Sequence, residues 1–242
     1  MKGRYVLVAA AVFCVSCGAF GSPWAPPSGE CASFTYENGQ NDTDLFGSPS
    51  YFGGDTLVFR NAAFEAEADD VNPMDLAADT MDVDLYAKLD PVEGQLKFIG
   101  IEILVRGDYN ITDPGSTGNN SVTADFDMAG SVAMLPSSPP EHPMGPFSGG
   151  FEFTESAPTG GATAWMETAG LDQPVALAFA VPPVTQLHLS VNGSFLAVSD
   201  GQGGTAGITG SLQLLEITAI VIPEPASLSL LAFGALALLR RR

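Results

Sequence analysis

Apolar and polar residues alternate one for one along several stretches of this chain, and this period of two limits its possible folds more than any other feature. Residues 81–89 read Met-Asp-Val-Asp-Leu-Tyr-Ala-Lys-Leu, so that every second residue is apolar. Such alternation is typical of a β-strand with one buried side and one side in water. Residues 96–106 are apolar on nearly both sides, which favours a central position in a sheet.

Turn residues separate these stretches in the manner of an all-β protein. Further strands are predicted at residues 57–67, 122–128, 151–154, 162–168, 175–181, 186–192, 194–199 and 210–222. Asn192-Gly193 predicts a two-residue hairpin turn, the glycines at 201–204 indicate a loop, and residues 73–80 are a candidate for a short helical turn. The pattern predicts an antiparallel β-sandwich of jelly-roll type, with a β-barrel as the alternative.

Basic residues are concentrated at the two ends of the chain. The whole sequence has 9 Lys and Arg against 28 Asp and Glu. Only four of the basic residues lie between residues 5 and 239, where all 28 acidic residues are found, so this stretch carries a formal charge of −24. Because nucleic acid binding requires clustered Lys and Arg to neutralise phosphates, nucleic acid is excluded as a partner.

Residues 1–22 have the three parts of a secretory signal peptide. Lys2 and Arg4 precede an apolar run from residue 5 to residue 17, and small residues follow it. The run would extend about 20 Å as a helix, which is short for a hydrocarbon core of about 30 Å. Cleavage is therefore expected, and a retained anchor or a lipoprotein at Cys17 is the alternative.

The C-terminal end combines a Pro-rich break, an apolar segment and a basic cluster. Pro223, Glu224 and Pro225 precede an uncharged stretch at residues 226–239, and Arg240, Arg241 and Arg242 follow it. The stretch predicts a short transmembrane helix of about 21 Å whose arginines reach the headgroups. The positive-inside rule then places the body of the protein outside the cytoplasmic membrane.

This combination resembles the PEP-CTERM sorting signal of exported bacterial proteins. The resemblance covers about residues 222–242 and rests on three elements in fixed order. It implies processing by exosortase, a membrane-embedded cysteine protease associated with extracellular polysaccharide production. On this resemblance the sorting motif consists of Pro223, Glu224 and Pro225 with the terminal arginines, and the motif is a substrate for processing, not a catalytic group.

Acidic residues in the body form two candidate metal sites. Asp69, Asp70 and Asp75, with Asn72 close by, are hard oxygen ligands of the kind that Ca²⁺ prefers in loops. Residues 38–44, which are rich in Asn and Asp, form a second candidate loop. The simpler interpretation is that Asp and Asn occupy turns and keep an exposed face soluble.

Catalytic patterns are scarce. Glu102 lies within an apolar strand, where burial would raise the pKa of an acid for glycoside hydrolysis. Cys31 is the one cysteine left after signal cleavage and has no sequence partner for a Cys-His pair, and Trp24 and Trp165 are the two tryptophans available as sugar platforms. We expect a protein that is not an enzyme.

Taken in order, residues 1–22 are predicted as a signal peptide, 23–221 as an acidic β-sandwich ectodomain, and 222–242 as the sorting signal. The sequence predicts an exported protein of the cell envelope or extracellular matrix, transiently anchored by its C-terminal helix. Its expected role is structural or adhesive, together with exopolysaccharide. The alternatives are a calcium-dependent carbohydrate-binding module and, as a third class, a sugar-active enzyme.

Overall fold

The computed structural model describes residues 21–59, 63–90, 94–112, 119–131, 147–170 and 184–221. Within these ranges the regular structure consists of β-strands. The first sheet is formed by β1 (Ser22–Pro23), β2 (Gly29–Glu30), β3 (Phe34–Asn41), β7 (Met74–Ala87), β10 (Ser121–Ser131), β11 (Phe147–Glu155) and β13 (Gln186–Val198). The second is formed by β4 (Pro49–Gly53), β5 (Thr56–Phe59), β6 (Phe64–Ala68), β8 (Leu89–Asp90), β9 (Gly94–Thr112), β12 (Thr163–Gly170) and β14 (Thr205–Val221).

Within the described ranges, every strand pairing is antiparallel and both sheets are open. The order in the first sheet is β1-β3-β7-β13-β10-β11, with β2 beside β3. The order in the second is β12-β9-β14-β5-β4, with β6 also on β14 and β8 on β9. Neither order returns to its first strand within the described ranges, so the barrel alternative is wrong for this part of the chain. The antiparallel all-β prediction is confirmed, while the jelly-roll type of connection stays a prediction.

Aromatic rings hold the two sheets against each other. Phe64 of the second sheet stacks on Phe195 of the first with ring centroids 5.1 Å apart, and Trp165 stacks on Phe153 at 5.0 Å. The alternation seen in the sequence supplies these contacts: along β10, every second residue from Val122 onward is buried. Burial of large aromatic side chains is the main stabilising term in such a core.

The predicted turn at Asn192-Gly193 is wrong, because β13 runs straight through it. Gly193 pairs with Phe126 on one side and with Asp79 on the other. A Cβ at this position would lie 2.7 Å from Cε1 of Phe126 and 3.0 Å from Cζ of Phe46. The glycine therefore makes room for two rings in the core and does not turn the chain.

Two further predictions at the start of the body are corrected. Residues 73–80, predicted as a helical turn, belong mostly to β7, because β13 offers this segment a continuous ladder from Met74 to Tyr86. Residues 57–67, predicted as one strand, cover most of β5 and β6, which pair with residues 214–216 and 206–210 of β14, and residues 60–62 between them lie outside the described residues.

Several predictions lie outside the described residues. They are the strand at 175–181, most of the signal peptide at 1–22, and the sorting segment at 222–242 with its transmembrane helix at 226–239. Among the residues that are described, no helix is both long and apolar enough to cross a membrane.

Candidate binding groove

A groove of about 980 Å³ lies on the solvent-facing side of the second sheet. Its residues come from β5, β9, β12 and β14 and from Ala63, just before β6. They are Val58, Phe59, Ala63, Arg106, Gly107, Asp108, Ala164, Trp165, Met166, Thr209, Gly210, Ser211 and Gln213. We call this surface the lateral groove.

The lateral groove lies where the described partner of β14 changes from β6 to β5. Residues 206–210 of β14 pair with β6, whereas residues 214–216 pair with β5. The ladder with β9 on the opposite side shifts its register between Leu212 and Leu214, as a β-bulge does. Residues 60–62, between β5 and β6, lie outside the described residues, so the ladder on this side of β14 is described at residues 206–210 and 214–216.

β9 and β14 approach each other very closely beside the lateral groove. Gly107 of β9 and Gly210 of β14 are ladder partners. A Cβ on Gly107 would lie 1.8 Å from the carbonyl oxygen of Thr209, and a Cβ on Gly210 would lie 2.6 Å from Cζ of Phe195. Two glycines at these positions thus let the backbones and the rings beneath them pack together.

The exposed side chains of the lateral groove differ widely in chemistry. Arg106 is exposed and forms no ion pair with any described residue. Met166 is 63% exposed, while the neighbouring Trp165 is only 6% exposed, and its indole Nε1 donates to the Thr209 carbonyl oxygen at 3.3 Å. The amide of Gln213 donates to the Ser211 hydroxyl.

A second depression of about 460 Å³ continues the lateral groove along the sheet. The two share Asp108 and Thr209. The second depression, which we call the polar extension, is also lined by Glu67, Ala68, Asp69, Asn72, Tyr109, Asn110, Ala162, Thr205, Ala206, Gly207 and Ile208. Carboxylates, amides and hydroxyls therefore follow the groove towards the loop between β6 and β7.

The three aspartates predicted to bind calcium accept hydrogen bonds from different parts of the backbone. Oδ1 of Asp69 accepts from the amides of residues 71 and 72 at 2.8 and 2.7 Å. Asp70 accepts from the Gly203 amide at 2.7 Å, and Asp75 accepts from the Glu67 amide at 3.0 Å. Among the described residues, no three His, Cys, Asp or Glu side chains are grouped so that they could hold a metal. Calcium binding by these residues stays a prediction.

The second candidate cation loop, residues 38–44, is organised by a buried carboxylate instead. Asp79, which is 5% exposed, accepts hydrogen bonds from the amides of Thr43 and Leu45 at 2.7 Å each and of Phe46 at 3.1 Å. It also accepts from the amide of Thr80 at 2.9 Å. The sequence shows Asp79 only as one acidic residue among many, since its four partners depend on how the loop folds back over β7.

The residues considered for sugar hydrolysis are not brought together. Glu102 is exposed on the outer face of β9, whereas Trp24 is 2% exposed. The Trp24 indole packs over Gly39, and its Nε1 donates to Oδ1 of Asn41 at 2.9 Å. Neither tryptophan forms an exposed platform, although Trp165 lies beneath the lateral groove.

The outer face of the first sheet is acidic. Nδ1 of His188 lies 2.8 Å from Oδ1 of Asp84, and its Nε2 lies 3.7 Å from Oδ1 of Asp82. Further along the same face, burial, followed by repulsion from Asp127 and Glu152, raises the pKa of Asp125. Several carboxylates on one face keep that face of the sheet hydrated and discourage pairing with other proteins.

Cys31 packs into the core as a small apolar residue. It is 5% exposed and unpaired with another cysteine. Burial, with a smaller contribution from the nearby Asp55, raises the pKa of its thiol from 9.0 to about 11. Because the thiolate is the reactive form, Cys31 is unsuited to nucleophilic chemistry near neutral pH.

We expect the folded protein to resist alkylation at Cys31 up to about pH 10, whereas the unfolded chain reacts readily above pH 9. The pKa of this thiol is higher in the folded protein than in the unfolded chain. Burial of the neutral thiol therefore stabilises the folded protein below pH 9, and this contribution is lost as the pH rises through about 11. Iodoacetamide labelling with and without urea, followed by mass spectrometry, measures the resistance of Cys31 to alkylation. Fast labelling of the native protein at pH 8 would contradict the buried position.

Comparison with known proteins identifies the C-terminal segment. The family model of the PEP-CTERM protein-sorting motif matches residues 221–242. The chain therefore carries a PEP-CTERM sorting signal, which implies export and sorting by exosortase. No curated protein matches the chain.

Two solved structures show a low similarity to the body. One is described as a candidate glycoside hydrolase from Bacteroides thetaiotaomicron, with 12% identity and a TM-score of 0.25 over 70% of this chain. This chain spans 57% of the length of that protein. The other is TmCBM61 in complex with β-1,4-galactotriose, with 8% identity and a TM-score of 0.22 over 64% of this chain and 89% of the other.

Proposed function

We propose that this is an exported protein of the cell envelope or extracellular matrix whose β-sandwich body has a structural or adhesive role together with exopolysaccharide. The observation that carries the proposal is the PEP-CTERM match at residues 221–242, directly after the last strand of the acidic body. The terminal arginines, which favour the cytoplasmic side of a membrane, support the same orientation. In this proposal the body is not an enzyme and acts by binding.

The layout of the strands supports display of the body away from the membrane. β14 has 17 residues and ends at Val221, where the sorting segment begins. At about 3.3 Å per residue, a strand of this length extends about 55 Å. The loops at residues 69–73 and 199–204 lie at the start of β14, so a body anchored after Val221 presents these loops and the polar extension at its far end.

These far loops are tied to each other, which suits an exposed tip. The Gly203 amide donates to Asp70 at 2.7 Å, and the Ser199 amide donates to the Pro73 carbonyl at 2.8 Å. The Asp200 amide also donates to Oδ1 of Asn120 at 2.8 Å, which ties the loop at 199–204 to the residue before β10. Such cross-links reduce the conformational freedom of long loops.

A test of sorting uses single substitutions in the C-terminal segment of the full chain in its host. We expect Glu224→Ala to prevent processing, so that the uncut chain accumulates in the cytoplasmic membrane, whereas Ser227→Ala outside the tripeptide is processed normally. Cell fractionation and the intact mass of the mature protein report both outcomes. Normal processing of Glu224→Ala, or a reporter fused at residue 220 found in the cytosol, would overturn the proposal.

A further inference from the structure

We propose that the outer face of the first sheet binds a basic polypeptide segment that also carries aliphatic side chains. The contact begins at Met74, Leu76, Leu196 and Val198, which we call the tip patch, and continues over the carboxylates of the same face. All of these residues lie within the described ranges. The inference goes beyond the association with exopolysaccharide proposed above and rests on that proposal only for the place where the partner is met.

Exposed apolar side chains are concentrated at the start of β7, directly after the far loop at residues 69–73. Among the described residues, four large apolar side chains are mostly exposed, and three of them lie close together in the chain: Val71 at 83%, Met74 at 66% and Leu76 at 58%. Met74 and Leu76 pair with Val198 and Leu196 of β13. Ladder partners share one face of a sheet, and the odd-numbered residues of β13 are the buried ones. The four side chains of the tip patch therefore adjoin on the outer face, and apolar patches of this kind mark interaction sites.

Carboxylates occupy the same outer face next to the tip patch. They are Glu37, Asp82, Asp84, Asp125, Asp127 and Glu152. The strands of the first sheet contain neither Lys nor Arg, and His188 is the basic side chain that these strands place among the carboxylates. The face therefore has a negative field, which attracts a positively charged partner.

Charge makes a second copy of this chain a poor occupant. Copies that are sorted by the same C-terminal signal would stand side by side with their tips pointing the same way. If their first sheets packed face to face, the tip patches would meet, but the carboxylates of one copy would also lie against those of the other. Like charges across an interface oppose association. A partner that carries Lys or Arg beside its apolar residues instead gains from both parts of the face.

The side chains of the tip patch favour a polypeptide over a sugar or a lipid surface. Leu76, Leu196 and Val198 are aliphatic and Met74 is a flexible thioether, so the patch adapts to the aliphatic side chains of a peptide. None of the four supplies an aromatic ring on which a sugar could stack. Anionic lipid headgroups would be repelled by the neighbouring carboxylates.

Spacing along the strands sets the length of the bound segment. Met74 and Asp84 lie at opposite ends of this surface on the same strand, β7, and the ten steps between them extend about 33 Å. An extended peptide of about ten residues therefore covers the tip patch and the carboxylates together. Its aliphatic residues belong at one end and its basic residues at the other.

The test measures binding of fluorescent peptides to the mature protein, isolated from its host, by fluorescence anisotropy. The probe peptide has four leucines in one half and four lysines in the other, and two control peptides replace the lysines with glutamate or the leucines with serine. We expect the probe to bind at least tenfold more tightly than either control and to lose at least threefold in affinity between 50 and 500 mM salt. Equal binding by either control, or no binding of the probe, would overturn the inference.

Two matched pairs of substitutions place the binding on this face. Met74→Ser and Met166→Ser remove the same side chain at similar exposure, 66% and 63%, from the first and the second sheet. We expect the first to reduce affinity at least fivefold and the second to leave it within twofold, with equal thermal midpoints for both. Asp127→Lys and Glu102→Lys reverse one exposed charge on each sheet, and the first alone is expected to weaken binding, by about threefold. Equal losses within either pair would exclude this face as the site.

The Met74→Ser variant also separates the other occupants. Three further properties of the mature protein are measured: dimer formation by analytical ultracentrifugation, binding to dextran and binding to phosphatidylglycerol vesicles. If Met74→Ser abolished any of these, the tip patch would belong to a second copy, a sugar or a lipid surface, and the inference would be wrong. The sorting assay is independent of these results, so failure of one proposal is distinguishable from failure of the other.

Discussion

Replacing Gly107 with alanine is expected to destabilise the protein by about 3 kcal/mol or more, because the new methyl group has no space. Its Cβ would lie 1.8 Å from the carbonyl oxygen of Thr209 and 2.6 Å from Cα of Gly210, whereas carbon atoms normally approach to about 3.5–4.0 Å. Both clashes are with the backbone of β14, which a rotamer change cannot relieve. The two longest strands of the second sheet would have to separate beside the lateral groove.

Gly100 on the same strand is the matched control. A Cβ there would meet nothing closer than Cβ of Thr218 at 3.7 Å, which is ordinary contact. We expect Gly100→Ala to be neutral or to stabilise by about 0.4–1 kcal/mol by restricting the unfolded chain. Urea unfolding of both variants measures the difference. Equal stability of the two would show that β9 and β14 do not approach as described.

Replacing Asp79 with alanine is expected to cost about 3 kcal/mol of unfolding free energy. Its carboxylate accepts four backbone hydrogen bonds, two at each oxygen, from Thr43 and Thr80 at Oδ1 and from Leu45 and Phe46 at Oδ2. Buried amides that lose a charged acceptor cost about 1–3 kcal/mol each. Amides that become exposed to water after the substitution cost less. The total loss of unfolding free energy therefore stays well below four times the cost of one buried amide.

The asparagine variant separates hydrogen bonding from volume. Asp79→Asn keeps one oxygen and places an NH₂ group against two of the four amides, so we expect an intermediate loss of about 2 kcal/mol. Asp127→Ala on the exposed face of β10 is the control, with an expected change within about 0.5 kcal/mol. Thermal and urea unfolding measure all three. If Asp79→Ala were as stable as Asp127→Ala, the loop at 42–46 would not depend on this carboxylate.

Strand positions were largely predictable because apolar and polar residues alternate along each strand according to which side is buried. The alternation at residues 81–89 and 122–128 reappears in the burial of β7 and β10. β3 was missed, because its apolar residues Phe34 and Tyr36 are followed by a bulge at residues 37–40. There Asn38 has a φ of 55°, and the period of two is interrupted.

Glycine was the least reliable signal. Asn192-Gly193 has the residues of a hairpin turn, yet Gly193 is buried beneath Phe126 and Phe46. The same residue type serves a turn at Gly201 and Gly203, where φ is 70° and 90°. Sequence shows the missing side chain but does not show whether it allows an unusual backbone angle or the close approach of a ring from another strand.

The sequence by itself determined the sorting signal of this protein and the alternation of buried and exposed residues along its strands. A sorting signal is a continuous segment of the chain, and a half-buried strand shows as an alternating pattern of consecutive residues. Both features therefore depend only on residues that are close together in the sequence. Only the tertiary structure decided which residues meet, such as Arg106, Met166 and Thr209 around the lateral groove and the four backbone amides on Asp79. Both arrangements depend on contacts between segments that are far apart in the chain, such as the pairing of β14 with β5 and β6.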